Sequence, residues 1–278
     1  SYYFIGKDNI PFHTIIWPAM LMGYGAWDPK TGKGEYNLPF DVPANEFLSL
    51  EGQKFSTSQN WAVWLPDYLS RYDPDPLRYH LSATMPETGD ADFSWREFVR
   101  RNNDELVATY GNLAHRALTF AYRHYGGRVP EPGSLERADQ ALLTRAQGAL
   151  DDVAASLSLC RFREALGKAM ALAGEGNRYL EAMSPWRTVS EDRGRAATVL
   201  WVALSLLSAL RVLLAPFLPF SCQRLHRYLG FPGRVEDGGW AFQRPAPGQA
   251  LEEPRPLFAK LEERVAQEEV ERLAAGRR

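Results

Sequence analysis

The sequence predicts a mainly α-helical protein with a short α/β part ahead of the helices. Three observations carry this. From Trp95 onward, apolar residues return at three- and four-residue steps. Before residue 60, short β-prone runs flank a single helical segment, and residues 196–220 are almost continuously apolar. A period near 3.6 marks one buried face of a helix, and extended runs bounded by Gly, Pro and Asp mark strands.

Residues 2–5 (Tyr2, Tyr3, Phe4, Ile5) read as a strand and residues 11–22 as a helix. A connection rich in Gly, Pro and Asp covers 23–41, and a second strand covers 46–50 before a loop of small hydroxyl residues. Strand–helix–strand with a ligand loop beyond the second strand is how nucleotide-binding sheets are built. Residues 65–71 and 74–81 read as short helices, and 85–94 as irregular and acidic. Phe98, Asn102, Leu106, Tyr110, Leu113, Ala117 and Phe120 then form a helical stripe that ends near Gly126-Gly127. A second stripe runs from Leu142 to Leu157, and a third from Phe162 towards Met183. Residues 196–214 and 219–229 supply a fourth and a fifth helix. A Gly/Pro-rich loop over 230–256 precedes a charged helix over 257–275, which reads as a solvated surface element. Amphipathic helices on short loops make an antiparallel bundle. Three domains are predicted: 1–60, 61–100 and 101–278.

With 278 residues, 45% of them hydrophobic, the chain can bury two real cores. A net charge of −2 does not by itself point to nucleic acid. Residues 1–100 are net −5 and the remainder net +3, which is compatible with RNA contact in the second part. Cys160 and Cys222 form neither a metal spacing nor a disulfide framework, which favours a reducing compartment. No basic segment precedes the first strand, so a cytoplasmic location is expected. The apolar stretch 196–220 is long enough to cross a bilayer. Arg211 within it, Pro216, Pro219, Ser205 and Ser208 favour instead a helix buried in the bundle, with no membrane partner.

The candidate chemistry begins at Lys54-Phe55-Ser56-Thr57-Ser58. Hydroxyls donate to phosphate oxygens, and an ammonium answers charge building on a leaving group. The same residues also suit an ordinary serine-rich turn. Asp8 follows Gly6-Lys7 at a strand end, where a carboxylate can accept both hydroxyls of a ribose or simply stabilise a helix N-terminus. Phe12, His13 and Trp17 can line one wall of a pocket for a polarizable thioether, or pack in a core. Asn112 and Arg116 lie four apart on one helix and suit the base edges of an unstacked RNA loop. Trp186, after Ser184-Pro185, could stack on a base. Each also has an ordinary reading as a helix polar residue, a solvated cation or an edge-packing aromatic.

The order and distances of Gly6-Lys7-Asp8, Phe12-His13, Trp17-Pro18-Ala19-Met20-Leu21, the serine loop, Asp75-Pro76-Leu77-Arg78-Tyr79, Asp90-Ala91-Asp92-Phe93-Ser94-Trp95 and Gly111-Asn112-Leu113-Ala114-His115-Arg116 are specific as a set. From about residue 2 to about 261, the chain resembles the carboxy-terminal half of the methionyl-tRNA synthetases, class I aminoacyl-tRNA synthetases. The resemblance implies the second half of a Rossmann-type nucleotide-binding domain, a linking domain on the acceptor-stem side, and an α-helical bundle that binds the anticodon. It implies ATP-dependent activation of methionine and its transfer to tRNA with a CAU anticodon, with ATP and Mg2+ as cofactors. Gly6, Asp8, Lys54 and Phe55 would meet ATP, and Phe12, His13 and Trp17 would enclose L-methionine. Lys54, Ser56, Thr57 and Ser58 would serve catalysis, and Asn112, Arg116 and Trp186 would read the anticodon.

Two departures accompany it. The family loop is usually Lys-Met-Ser-Lys-Ser; here Phe55 replaces the methionine and Thr57 the second lysine. Losing that cation would cost about 2–4 kcal/mol of transition-state stabilisation unless another basic group replaced it. The five histidines form no His-x-Gly-His signature, and the zinc-bearing insertion is absent. No metal ligands are therefore expected here, and the chain is expected to be catalytically incomplete alone, its amino-terminal half a candidate partner chain. The alternatives are a non-catalytic RNA-binding module or split subunit, and a class I synthetase for another apolar amino acid.

Overall fold

The computed structural model describes residues 1–277. It divides the chain into two compact units: residues 1–62 with 84–94, and residues 63–83 with the chain from 95 onward.

In the first unit, β1 (Ile5–Gly6) leads through a single 3-10 turn, Lys7–Asn9, into a π-helical turn, Phe12–Ile16, and α1 (Trp17–Tyr24). Pro18 lies in the first turn of α1, where its missing N–H costs nothing. The strands that follow are β2 (Ala44–Asn45), β3 (Leu48–Leu50), β4 (Gln53–Lys54) and, much later, β5 (Ala91–Phe93). β1 pairs in parallel with β2, and the pairing continues outward through a Tyr2–Asp41 bridge. The expected partner of the first strand, residues 46–50, is therefore displaced by 41–45. Pro43 has no N–H to give to a ladder, yet its carbonyl accepts the Ile5 N–H at 3.1 Å. β3 instead belongs to a separate three-stranded sheet of order β4-β3-β5, antiparallel to β4 and parallel to β5. The acidic stretch expected to be irregular thus contributes β5, with Phe93 buried and Asp92 exposed on alternate faces. Glu51 and Gly52, at φ 49° and 72°, close the two-residue turn from β3 to β4. Positive φ at both central residues suits the right-handed twist of a hairpin, and the glycine adopts it without strain.

The second unit is helical. In order come α2 (Leu65–Leu69), α3 (Pro74–Ala83), α4 (Trp95–Arg101), a π-helical stretch Asn102–Gly111, α5 (Asn112–His124), α6 (Arg137–Ser158) and α7 (Phe162–Met183). They are followed by α8 (Pro185–Thr188), α9 (Arg193–Leu213), α10 (Pro219–Tyr228) and α11 (Arg264–Gly276). α9 is the apolar segment and lies at the centre: every residue from Ala196 to Leu213 is buried. It packs against α5, α6, α7, α8 and α10, so its apolarity is that of a bundle core. Arg211 is buried within it, donating to Ser208 Oγ (3.2 Å), His226 Nδ1 (2.8 Å) and Gln243 Oε1 (3.2 Å). Burial pushes its guanidinium pKa down to about 10.

Two segments depart from expectation. Residues 61–100, predicted as a linking domain, are shared between the two units. Within the helical unit, α3 is clasped to the turn at the end of α9 and to α10. Asp75 accepts the Ser221 N–H at 2.6 Å, and Arg78 donates to the Pro216 and Phe217 carbonyls, each at 3.0 Å. The last helix starts at Arg264 rather than 257, because Leu257 and Phe258 are buried in a bend of irregular chain ahead of it. Nor is it merely a solvated element. Glu269 is 3% exposed and accepts from Arg71 Nε (3.0 Å), Arg71 Nη2 (2.8 Å) and the Tyr72 hydroxyl (2.8 Å).

Candidate functional site

In the first unit, Gly6 ends β1 and Asp8 sits exposed in the turn that follows. Its neighbour Lys7 is fully engaged: the ammonium pairs with Glu46 and with Asp90 (3.1 Å) and lies 4.1 Å from the Phe47 ring centre. The hydrogen-bonded carboxylates of Glu46 and Asp90 raise its pKa. The turn therefore presents a carboxylate, not a cation, to solvent.

The π-helical turn Phe12–Ile16 delivers Phe12, His13 and Trp17 to one place, and such turns recur at functional sites. The Phe12 and His13 rings meet edge to face at 5.2 Å. His13 Nδ1–H donates to the Asn9 carbonyl at 3.0 Å, which leaves Nε2 as an acceptor. Trp17 Nε1–H donates to the Tyr3 hydroxyl at 3.3 Å, and the Tyr3 ring lies 5.9 Å from that of His13. Tyr3 is thus the hub of this cluster, although sequence reasoning did not single it out. The signal was available: Tyr3 and Ile5 alternate with the exposed Tyr2 and Phe4, so Tyr3 faces inward.

Lys54 ends β4 with its side chain exposed, opposite Ser49. The loop beyond it is tied back on itself. Ser56 and Trp61 exchange backbone hydrogen bonds (3.0 and 2.8 Å), and Asn60 N–H donates to the Thr57 carbonyl at 3.1 Å. Ser56 Oγ lies 3.2 Å from Ser58 Oγ and accepts from the Gln59 N–H at 3.3 Å. Trp61 Nε1–H anchors the loop on the Leu50 carbonyl at 3.1 Å. Asp92 braces the hairpin by accepting from Ser49 Oγ (2.5 Å) and the Gly52 N–H (2.8 Å). One ordered loop thus carries Lys54, Phe55, Ser56, Thr57 and Ser58, with Phe55 half-buried and Thr57 exposed. An ammonium on the same short loop as two neighbouring hydroxyls fits the oxygens of a polyphosphate. Asp8 and this loop belong to one unit, and no hydrogen bond joins them among the described residues. No group of three or more His, Cys, Asp or Glu there could hold a metal ion.

In the helical unit, Arg116 on α5 and Trp186 on α8, seventy residues apart in sequence, come together, and Asn112 lies one turn before Arg116 on α5. The Arg116 guanidinium carbon lies 4.4 Å from the Trp186 ring centre, and Nη2 donates to Glu181 at 3.0 Å. Asn112 Nδ2 donates to Asn177 Oδ1 at 3.2 Å. Both polar contacts span 65 residues and form two rungs between α5 and α7. Asn177 and Glu181 escaped sequence reasoning; their spacing of four on α7 matches that of Asn112 and Arg116 on α5. Ser184, left-handed at φ 40°, with Pro185 after it, turns the chain so that Trp186 sits half-buried against the core.

Residues 1–118 match the family model described as tRNA synthetases class I (M). Residues 129–278 match the model described as the anticodon binding domain of methionyl tRNA ligase. The chain is 48% identical over 304 residues to the methionine–tRNA ligase of Thermomicrobium roseum, covering 100% of this chain and 51% of that protein. It is 56% identical over 273 residues to a methionine–tRNA ligase of Dehalococcoides mccartyi, covering 98% of this chain and 48% of that one. The crystal structure of Mycobacterium tuberculosis methionyl-tRNA synthetase bound by methionyl-adenylate superposes with a TM-score of 0.82 at 28% identity, over 93% of this chain and 50% of that one. The chain thus spans about half the length of the curated relatives it matches. Matched along nearly its whole length by these two models, the chain belongs to the methionyl-tRNA synthetase family of class I aminoacyl-tRNA synthetases.

Proposed function

We propose that this chain supplies the anticodon-reading bundle and part of the nucleotide site of a methionine–tRNA ligase. Such an enzyme activates L-methionine with ATP and transfers it to a tRNA with a CAU anticodon. The observation that carries the reading is the Arg116 guanidinium lying over the Trp186 ring with Asn112 one turn away on α5, which offers a planar donor fork, an indole and an amide. Asp8 would accept the ribose hydroxyls of ATP beside Gly6, and Phe12, His13 and Trp17 would enclose the methionine side chain. Lys54, Ser56 and Ser58, with Phe55 and Thr57 beside them, would hold the phosphates as the methionine carboxylate attacks the α-phosphorus. Mg2+ would arrive with those phosphates, since the described residues offer no metal cluster. Residues 61–100 would face the acceptor-stem side.

Tyr2, Phe4, Ile15, Tyr24 and Phe40 in the first unit are all 46% or more exposed. This supports a site completed by further polypeptide, equivalent to the other half of the relatives, in the same or a separate chain. A cytoplasmic setting fits two cysteines that form no disulfide framework. The test is a tryptophan-fluorescence titration with a CAU anticodon stem-loop and with the same stem carrying a changed anticodon. Tighter binding to CAU supports the reading, and equal or absent binding removes it.

A further inference from the structure

The pair Asn112 and Asn177 is more constrained than two amides facing each other need be. Asn177 Nδ2 donates to two backbone carbonyls, Thr109 at 2.8 Å and Ala173 at 3.3 Å. A carbonyl only accepts, so the Asn177 amide has one orientation, with Oδ1 turned towards α5. That oxygen in turn accepts only a donor, which settles the Asn112 amide: Nδ2 points to Asn177 at 3.2 Å and Oδ1 points away from it.

Two backbone features make the arrangement available. Asn112 directly follows the π-helical stretch Asn102–Gly111, and its own N–H is shared between the Val107 and Thr109 carbonyls. The Thr109 carbonyl, which shares the Asn112 N–H with Val107, also takes the Asn177 amide. Next to Asn177, Gly176 lets α7 approach closely: a Cβ there would lie 2.8 Å from Leu113 Cδ2 and 2.4 Å from Leu206 Cδ2.

We propose that Asn177 is a positioning residue that locks the Asn112 amide with its Oδ1 outward, so that this site selects a base carrying an exocyclic amino group. The inference rests on the reading of Asn112 as an anticodon contact. An outward oxygen accepts from the amino group of cytosine or adenine and faces the carbonyl oxygen of uracil unfavourably. A free asparagine would rotate its amide and serve either base. Asn177 touches no RNA in this scheme; it acts through Asn112.

The experiment measures binding of the full chain to a CAU stem-loop and to stem-loops in which the cytosine, or the adenine, is replaced by uracil. Asn177→Leu removes both donor and acceptor. Its expected effect is a roughly tenfold loss of discrimination at one of the two positions, with CAU affinity falling less. In an Asn112→Ala background, Asn177→Leu should cause no further loss of discrimination. A variant that still discriminates like the wild type overturns the inference, as does one that loses discrimination equally with and without Asn112. Should the leucine variant fail to fold, Asn177→Ser adds no bulk beside Gly176 and is read the same way. Asn112→Ala and Trp186→Ala separate the two levels. If both leave CAU binding untouched, the anticodon reading itself fails; if both weaken it while Asn177→Leu changes nothing, the positioning role alone fails.

Discussion

Replacing Arg195 with methionine should destabilise the bundle by an amount set by one buried carboxylate. Asp139 is fully buried near the start of α6 and accepts from the Glu136 N–H (2.9 Å), the Tyr179 hydroxyl (2.5 Å) and two Arg195 nitrogens (2.5 and 2.9 Å). These contacts join α6, α7 and α9 just behind α8, and Arg195 also touches Met183 Sδ at 3.4 Å. Burial pushes the Asp139 carboxyl up, and Arg195, Tyr179 and the Glu136 amide together bring it below its usual value. Removing one partner of a buried ion pair costs about 3–5 kcal/mol, because the other charge stays buried. Asp139 keeps two hydrogen bonds in Arg195→Met, so the lower end, about 3 kcal/mol, is expected. For a chain of this size that is a fall in Tm of about 6–12 °C. The pH dependence carries the sign. In the wild type the stabilisation is present above the unfolded carboxyl pKa and is lost as pH falls through the depressed folded value. In the variant, burial without the guanidinium raises that value, so acid neutralises the stranded charge. Thermal melts followed by circular dichroism should show the gap largest near neutral pH and narrowing as pH falls from the variant's raised carboxyl value towards the wild type's depressed one. A fall under about 2 °C at neutral pH, or a gap that widens in acid, would refute the argument.

Three further outcomes are expected. Trp186→Ala should weaken CAU stem-loop binding by about 1–3 kcal/mol while leaving helical content intact, as titration alongside circular dichroism would measure. His80 is buried, and burial followed by the nearby Arg101 cation lowers its pKa from 6.5 to about 4. The unfolded chain takes up a proton that the folded one refuses, so stability falls by about 3 kcal/mol as pH drops across that window. Denaturant melts of His80→Leu should lack that slope. Gly176→Ala would press a methyl into Leu206 and Leu113, and should cost about 1–3 kcal/mol in the same melts.

Much of the helical unit was legible because most of its long helices pair one buried face with one exposed face, and period is a local property. The bounds of α7 and α10 follow the expected stripes within a residue, and α9 announced its burial by being apolar all round. The first unit was harder. Its strands are two or three residues long, too short to establish alternation, and β5 hides in an acidic run whose Asp92 accepts from Ser49 and Gly52 of a distant hairpin. The charges of the last helix likewise concealed Glu269, whose burial depends on Arg71 and Tyr72, nearly two hundred residues away.

The sequence by itself determined the helical bundle, the apolar core helix and the order of the motif blocks, since composition and spacing are written along the chain. Only the tertiary structure decided that β1 pairs with β2, that Tyr3 gathers Phe12's neighbours His13 and Trp17, and that Asn177 and Glu181 stand opposite Asn112 and Arg116. Hydrogen bonds and ring contacts between distant segments depend on how close the backbones come. That closeness is set by packing, at points such as Gly176, and leaves little trace in local pattern.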